Sequence, residues 1–375
     1  MHCAYHAAGR CRSCTRLDMP YADQLAAKDR HCRSLPAAHA DVVWLPPVAS
    51  PEAGFRNKAK MVVGGSVDAP RLGILDAAGG AVDLSACPLY PAALQAAFAP
   101  VKAFIGAARI APYDVAQRRG ELKHVLATLA RDSGALMLRF VLRSREPLAR
   151  MRRHLPGLLA ALPALRAVSA NLQPVHQAVL EGDEEIALTA QQHLTMRVDG
   201  LPLHLRPRSF FQTNDAVAAA LYRQAHEWAR ELAPAEVWDL YCGVGGFALR
   251  CADGARAVVG VETSAEAVAS AERSRDELGL AHVRFVAADA TAFALGAARA
   301  PDLAVVNPPR RGLDSALCAW LDASPVRAVI YSSCNAETLA RDLARMPRLR
   351  LARARVLDMF PHTAHYEAVT LLVRA

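Results

Sequence analysis

Cys334 closes the apolar run AVIYSSC, which reads as a strand, and Asn335 follows it. A thiol in that place is a small core residue, a metal ligand or a nucleophile, and its neighbours decide which. Other strand-like runs also end in polar groups. EVWDLY leads into CGVGGF, whose glycines let backbone amides approach a ligand closely. AVVGVE ends in Glu262, 19 residues after Gly243, placed to accept hydrogen bonds from ribose hydroxyls. LAVVNPPRRGL sets Asn307 at a strand end, with Pro-Pro holding the backbone extended, and Glu367 opens the run AVTLLVR after the turn PHTAHYE. A second kind of chemistry is written at the start, where Cys3, Cys11 and Cys14 form C-x7-C-x2-C. A C-x2-C pair puts two thiolates on one turn, and two further cysteines would complete a site for zinc or for an iron–sulfur cluster. A purely buried role fits poorly, because His2, Arg10 and Arg12 would have to be buried with the thiols.

The elements that carry these residues change character along the chain. From about Pro207 onward, strand and helix alternate, which is the pattern of a parallel sheet with crossover helices. Ligands bind such sheets beyond the carboxyl ends of the strands, so the glycine loop, Glu262, Asn307 and Cys334 are expected to share one crevice. The antiparallel return through AVTLLVR brings Glu367 to the same edge. Between Val42 and Pro207 the chain reads as largely β, with residues 91–130 helical and free to pack on either domain. In FRNKAKM a period of two puts Arg56, Lys58 and Lys60 on one side of a strand, and ALMLRFVLRS sets Arg139 and Arg143 opposite Leu138 and Phe140. Such basic faces suit a phosphate backbone.

Composition narrows the partner. The chain has 375 residues, 53% hydrophobic and 21% charged, enough for about two packed domains. Its formal net charge of +8 favours a polyanion, although the preference for arginine over lysine is equally a mark of base composition. No stretch reaches the roughly 18 uninterrupted apolar residues of a membrane helix, and MHCAYHAAGRCRSC has no apolar signal core, so a cytoplasmic protein with reduced thiols is expected. A dehydrogenase fingerprint would need glycine where Ala248 stands. Methylation of an exocyclic amine would favour an aromatic residue after NPP, where Arg310 stands. His362 and His365 form H-x2-H without a nearby partner and read as loop packing.

In order, SFFQTN, DLYCGVGGF, NPPRRGL, SSCN and PHTAHYE resemble the RNA uridine-C5 methyltransferases that use S-adenosylmethionine. The resemblance covers nearly the whole chain. It implies that Gln212, Tyr241, Glu262 and Asn307 contact S-adenosylmethionine, that Asp289 reaches the adenine, that Cys334 is the nucleophile and that Glu367 is the base. Cys3, Cys11, Cys14 and Cys87 match the branch that acts on 23S ribosomal RNA, in which they hold a [4Fe-4S] cluster. The larger ribosomal relative carries an additional OB-like domain before the first cluster cysteine, and the transfer-RNA relative lacks the cysteines. Cys32, Cys242, Cys251 and Cys318 match no functional position. Asn307 stands where many relatives have aspartate.

The implied reaction accounts for the residue types. Uracil C5 is a weak nucleophile until a thiolate adds at C6, and cysteine both attacks and leaves well. A base must then remove the C5 proton. The expected architecture is α/β: a β-rich iron–sulfur and RNA-recognition domain over residues 1–204, and a Rossmann-like methyltransferase domain over 205–375. 23S ribosomal RNA is the expected partner, with no membrane and no obligate protein partner. Two other readings compete, a transfer-RNA uridine-C5 methyltransferase and a cluster-bearing RNA-binding protein with a degenerate methyltransferase fold.

Overall fold

A computed structural model describes residues 1–374 apart from 36–40, 77–78, 178 and 255. The chain forms two compact units, one of Met1–Cys14 with Glu52–Met196, the other of Thr15–Pro51 with Arg197–Ala375. Residues 1–204 are expected to form one domain. In the structure, Thr15–Pro51 belongs instead to the second unit, where Val43–Trp44 pairs with Leu349–Leu357 at the edge of its sheet.

The first unit is built on a seven-stranded sheet in the spatial order Ala81–Asp83, Pro70–Leu75, Lys58–Gly65, Leu122–Leu129, Leu136–Leu142, Leu165–Leu172 and Glu184–Ala187. All neighbours are antiparallel except Leu136–Leu142 with Leu165–Leu172, which the helix Leu148–Ala161 connects. In the helix Ala92–Ala107, Leu94, Phe98, Val101 and Ile105 recur at helical spacing and enter the core together with Met61, Leu138 and Phe140. Two expectations fail here. The helix expected over 91–130 ends at Ala107, and Leu122–Leu129 is a strand whose near-continuous burial hides any period of two. Leu148–Ala161, within the region read as β, is a helix with Leu148, Met151, Leu155 and Leu158 buried.

The expected basic faces fare differently. Ala59, Met61 and Val63 turn inward and leave Lys60 exposed. Arg139 is not a surface cation: it is 2% exposed, ion-paired to Glu181 at 2.9 Å and to Glu185 at 2.5 Å. Arg143 is held by Glu121 at 2.8 Å.

The second unit carries an eight-stranded sheet in the order Val43–Trp44, Leu349–Leu357, Glu367–Arg374, Ala328–Ser333, Leu303–Val306, Glu236–Leu240, Ala257–Glu262 and Val283–Ala287. Glu367–Arg374 is antiparallel to both its neighbours, and every other pairing is parallel. Leu303–Val306 is buried throughout, as a parallel strand covered on both faces should be. The strand order reverses around Glu236–Leu240, so the crevice for a ligand lies beyond the ends of that strand and of Leu303–Val306. No helix among the described residues is long and apolar enough to cross a membrane.

Candidate active site

The loop after Glu236–Leu240 is bent into the left-handed region at Tyr241 (φ 70°), Gly243 (φ 54°) and Gly245 (φ 87°). A Cβ at Gly246 would lie 2.5 Å from Tyr222, so glycine is required for the helix Gly246–Cys251 to sit this close to its neighbour. Gly243 has open space beside it. Its amide donates at 3.1 Å to Glu262 Oε2, while Glu262 Oε1 accepts from Thr263 Oγ1 at 2.9 Å and from the Ser264 amide at 3.0 Å. Loop and carboxylate therefore form one piece. Asp239, which the sequence reading passed over, is fully buried beneath them and accepts from the Ala248 amide at 2.8 Å. Burial, with a further push from Glu262, raises its carboxyl to about 7.

Tyr241, Glu262 and Asn307 all stand at the carboxyl ends of parallel strands or just beyond them. Burial leads in raising the Tyr241 hydroxyl to about 12. Gln212 is buried just before Asn214, whose side chain caps the helix Asp215–Leu232. Asp289 caps the helix Ala290–Gly296, accepting from the Ala292 amide at 2.9 Å. An acidic group locked to a glycine loop with open space beside it suits an adenosine ribose.

Cys334 and Glu367 converge from distant sequence. The ladder between Ala328–Ser333 and Glu367–Arg374 pairs Ser332 with Val369 and Ser333 with Ala368, so the next opposed positions are Cys334 and Glu367. Directly opposed residues of an antiparallel pair project to the same side, as do residues two apart on one strand. Ser332 and Glu367 thus share one face, and Cys334, the first residue after its strand, lies near enough to Glu367 to feel its charge. Ser332 Oγ donates to Glu367 Oε1 at 2.5 Å. Glu367 is 1% exposed, and burial raises its carboxyl to about 7 despite that bond. Burial also raises the half-buried Cys334 thiol above its ordinary value, the Glu367 charge raises it further, and the charge of the Arg310 guanidinium opposes both. Arg310 Nη2 in turn donates to His365 Nδ1 at 2.9 Å.

A cavity of about 290 Å³ opens at this thiol, lined among others by Arg16, Lys28, His31, Arg310 and His365. Lys28 and His31 come from the helix Tyr21–Ser34, which carries no signal in the sequence that ties it to Cys334. His362 is buried, as loop packing requires, and its amide donates to Gln24 Oε1 at 2.9 Å.

In the first unit, Cys3, Cys11, Cys14 and Cys87 are neighbours. The Cys14 thiol is raised to about 12, first by burial and then by Cys87, Cys11 and Cys3, and Arg56 opposes this. Burial leads in raising Cys87 to about 11, with Cys3 and Cys11 adding to it. The four sulfurs do not draw together at single-ion ligating distance among the described residues. Cys32, Cys242, Cys251 and Cys318 are buried.

Residues 189–375 match the family described as tRNA (Uracil-5-)-methyltransferase. A 23S rRNA (uracil(747)-C(5))-methyltransferase RlmC from Cronobacter sakazakii is 55% identical over 100% of both chains, and that of Serratia proteamaculans is 53% identical over the same extent. The chain belongs to the RNA uracil-C5 methyltransferases. Among solved structures, the Pyrococcus abyssi tRNA (uracil-54, C5)-methyltransferase in complex with S-adenosyl-L-homocysteine superposes with a TM-score of 0.79 at 25% identity, covering 96% of this chain and 85% of that one. As a uracil-C5 methyltransferase, the chain is an α/β enzyme of the S-adenosylmethionine-dependent fold. Arg310 and Ser332 are the site residues that spacing could have revealed, one beside NPP and the other two positions before Cys334. Lys28 could not have been found that way.

Proposed function

We propose that this uracil-C5 methyltransferase acts on a uridine of 23S ribosomal RNA, with Cys334 as nucleophile and Glu367 as base. The observation that carries the assignment is the approach of thiol and carboxylate at the end of the ladder between Ala328–Ser333 and Glu367–Arg374, on the sheet whose parallel strands end at Glu262 and just before Asn307. The 23S substrate rests on the full-length likeness to the RlmC enzymes. S-adenosylmethionine supplies the electrophilic methyl group, and Gln212, Tyr241, Glu262 and Asn307 would hold it, with Asp289 near its adenine.

The chain's own residues supply the rest. The Arg310 charge favours the thiolate against burial and against Glu367. The sulfur adds to uracil C6, and the C5–C6 electron pair moves through C4 onto O4, leaving C5 nucleophilic. Once C5 carries the methyl group, Glu367 takes the C5 proton, the C5–C6 double bond re-forms and the thiolate leaves. A carboxyl raised to about 7 is poised to accept that proton near neutral pH. The uridine must leave its stack to reach the thiol, so a loop or unpaired base is the natural acceptor, and such RNA is met in the cytoplasm.

Cys3, Cys11, Cys14 and Cys87 would hold a [4Fe-4S] cluster in the first unit, an assignment supported by their shared neighbourhood. The exposed Lys60 and the adjacent Lys58 would follow the RNA backbone. Methyl transfer from labelled cofactor to protein-free 23S and transfer RNA, followed by mapping of the modified base, tests the proposal. Label at C5 of a 23S uridine is expected. Label confined to transfer RNA, or absent, would overturn it.

A further inference from the structure

Among the residues lining the cavity at Cys334 are two cations that the assignments above leave unused. The Lys28 side chain is 0% exposed, and its ammonium donates to Asp358 Oδ1 at 2.6 Å and to the Phe360 carbonyl at 3.0 Å. An ammonium has three N–H groups, so one remains, and Lys28 is among the residues that line the cavity. Arg16 also lines the cavity, and its Nη1 is buried without a hydrogen-bond partner among the described residues. Both donors lie near one another, since the Arg16 charge acts on Lys28. Adhesion alone does not account for them. A buried ion pair stabilises a fold no better than an apolar pair of similar volume, and an orphaned guanidinium nitrogen costs free energy.

We propose that Lys28 and Arg16 form an oxyanion hole for the acceptor pyrimidine, an inference that rests on the uridine methylation proposed above. When the Cys334 sulfur bonds to C6, the negative charge arrives on O4, the far end of the conjugated system. Arg310 is engaged at the sulfur end, where its charge acts on the thiol and its Nη2 donates to His365. The free Lys28 N–H and Arg16 Nη1 donate to O4, lowering the barrier to addition, and the charge returns to sulfur on elimination. Donors aimed at the atom where charge develops are among the largest contributors to catalysis, and removing one costs about 100-fold or more in rate.

The test separates donation from packing. Lys28→Met alone would leave Asp358 buried and unpaired, so the informative variants change both partners. Lys28→Met/Asp358→Leu replaces the pair with apolar groups, and Lys28→Gln/Asp358→Asn keeps a neutral N–H donor in nearly the same shape. The rate of covalent adduct formation is measured in single turnover with saturating 23S RNA fragment carrying 5-fluorouridine, which traps the adduct because C5 then has no proton to lose. The unfolding midpoint and S-adenosylmethionine affinity serve as controls of folding. The Met/Leu variant should form adduct about 100-fold more slowly than the native enzyme, with cofactor affinity retained, and the Gln/Asn variant should fall between. Arg16→Met should slow addition by about tenfold or more while leaving cofactor affinity intact. Adduct formation at the native rate in a folded Met/Leu variant, or equal rates for the two double variants, would overturn the proposal. If the native enzyme traps no adduct at all, the methylation mechanism fails and the oxyanion hole fails with it.

Discussion

Ser332 donates a 2.5 Å hydrogen bond to Glu367 Oε1 from two positions before Cys334, so one short stretch of chain carries the proposed nucleophile and steadies the proposed base. The carboxyl it steadies is almost wholly buried and raised to about 7, which has a consequence for stability. In the native protein Glu367 keeps its proton until about pH 7, whereas the unfolded chain releases it near the ordinary value of 4.5. Stability is therefore lost as pH rises through that window, by up to ~3 kcal/mol. Glu367→Gln removes the titrating group and should be more stable than the native protein at pH 8, with the difference shrinking toward pH 4.5. Thermal unfolding at both pH values checks this, and a difference independent of pH would contradict the burial argument.

The Arg310 charge leads the influences that favour the Cys334 thiolate. Arg310→Met should move the rising limb of the pH–rate profile for methyl transfer upward by about one unit, slowing the reaction roughly tenfold near neutral pH. Alkylation of Cys334 by iodoacetamide should slow in parallel. Unchanged profiles would show that the guanidinium does not set the thiol's ionisation.

For the first unit, anaerobically purified protein should be brown and contain roughly four iron and four sulfide per chain, and Cys87→Ser should lose the colour. Stoichiometric zinc without labile sulfide would reject the cluster.

The surviving basic face gives a narrower prediction than the sequence suggested. Lys58→Ala with Lys60→Ala should weaken RNA binding at every sequence and reduce the slope of log affinity against log salt by about 1.5. Arg56, which acts on the cysteine thiols, and Arg139, which is buried against carboxylates, are not expected to behave this way. An unchanged slope would return both lysines to solvent.

The parallel sheet was readable because each strand is an apolar run ending in a residue unusual for a strand end, and the rule that ligands collect beyond those ends predicted one crevice. The opposition of Cys334 and Glu367 followed from the return of the last strand. The first unit was harder to read. Leu122–Leu129 and Leu136–Leu142 are buried on nearly every residue, so periodicity could not separate strand from helix, and Arg139 was paired by carboxylates more than 40 residues away. Lys28 illustrates the same limit, since its partner Asp358 lies 330 positions along the chain.

The central claim is that Cys334 adds to the uracil ring and Glu367 resolves the adduct. The most direct measurement incubates native enzyme, Cys334→Ala and Glu367→Gln with 23S RNA and methyl-labelled cofactor, followed by denaturing electrophoresis, with folding and cofactor binding of each variant checked first. Cys334→Ala should give neither methylated RNA nor a covalent species. Glu367→Gln should transfer one methyl group and stall, leaving a labelled protein–RNA band that survives denaturation. Normal turnover by Glu367→Gln without a trapped band, or C5 methylation by Cys334→Ala, would contradict the account.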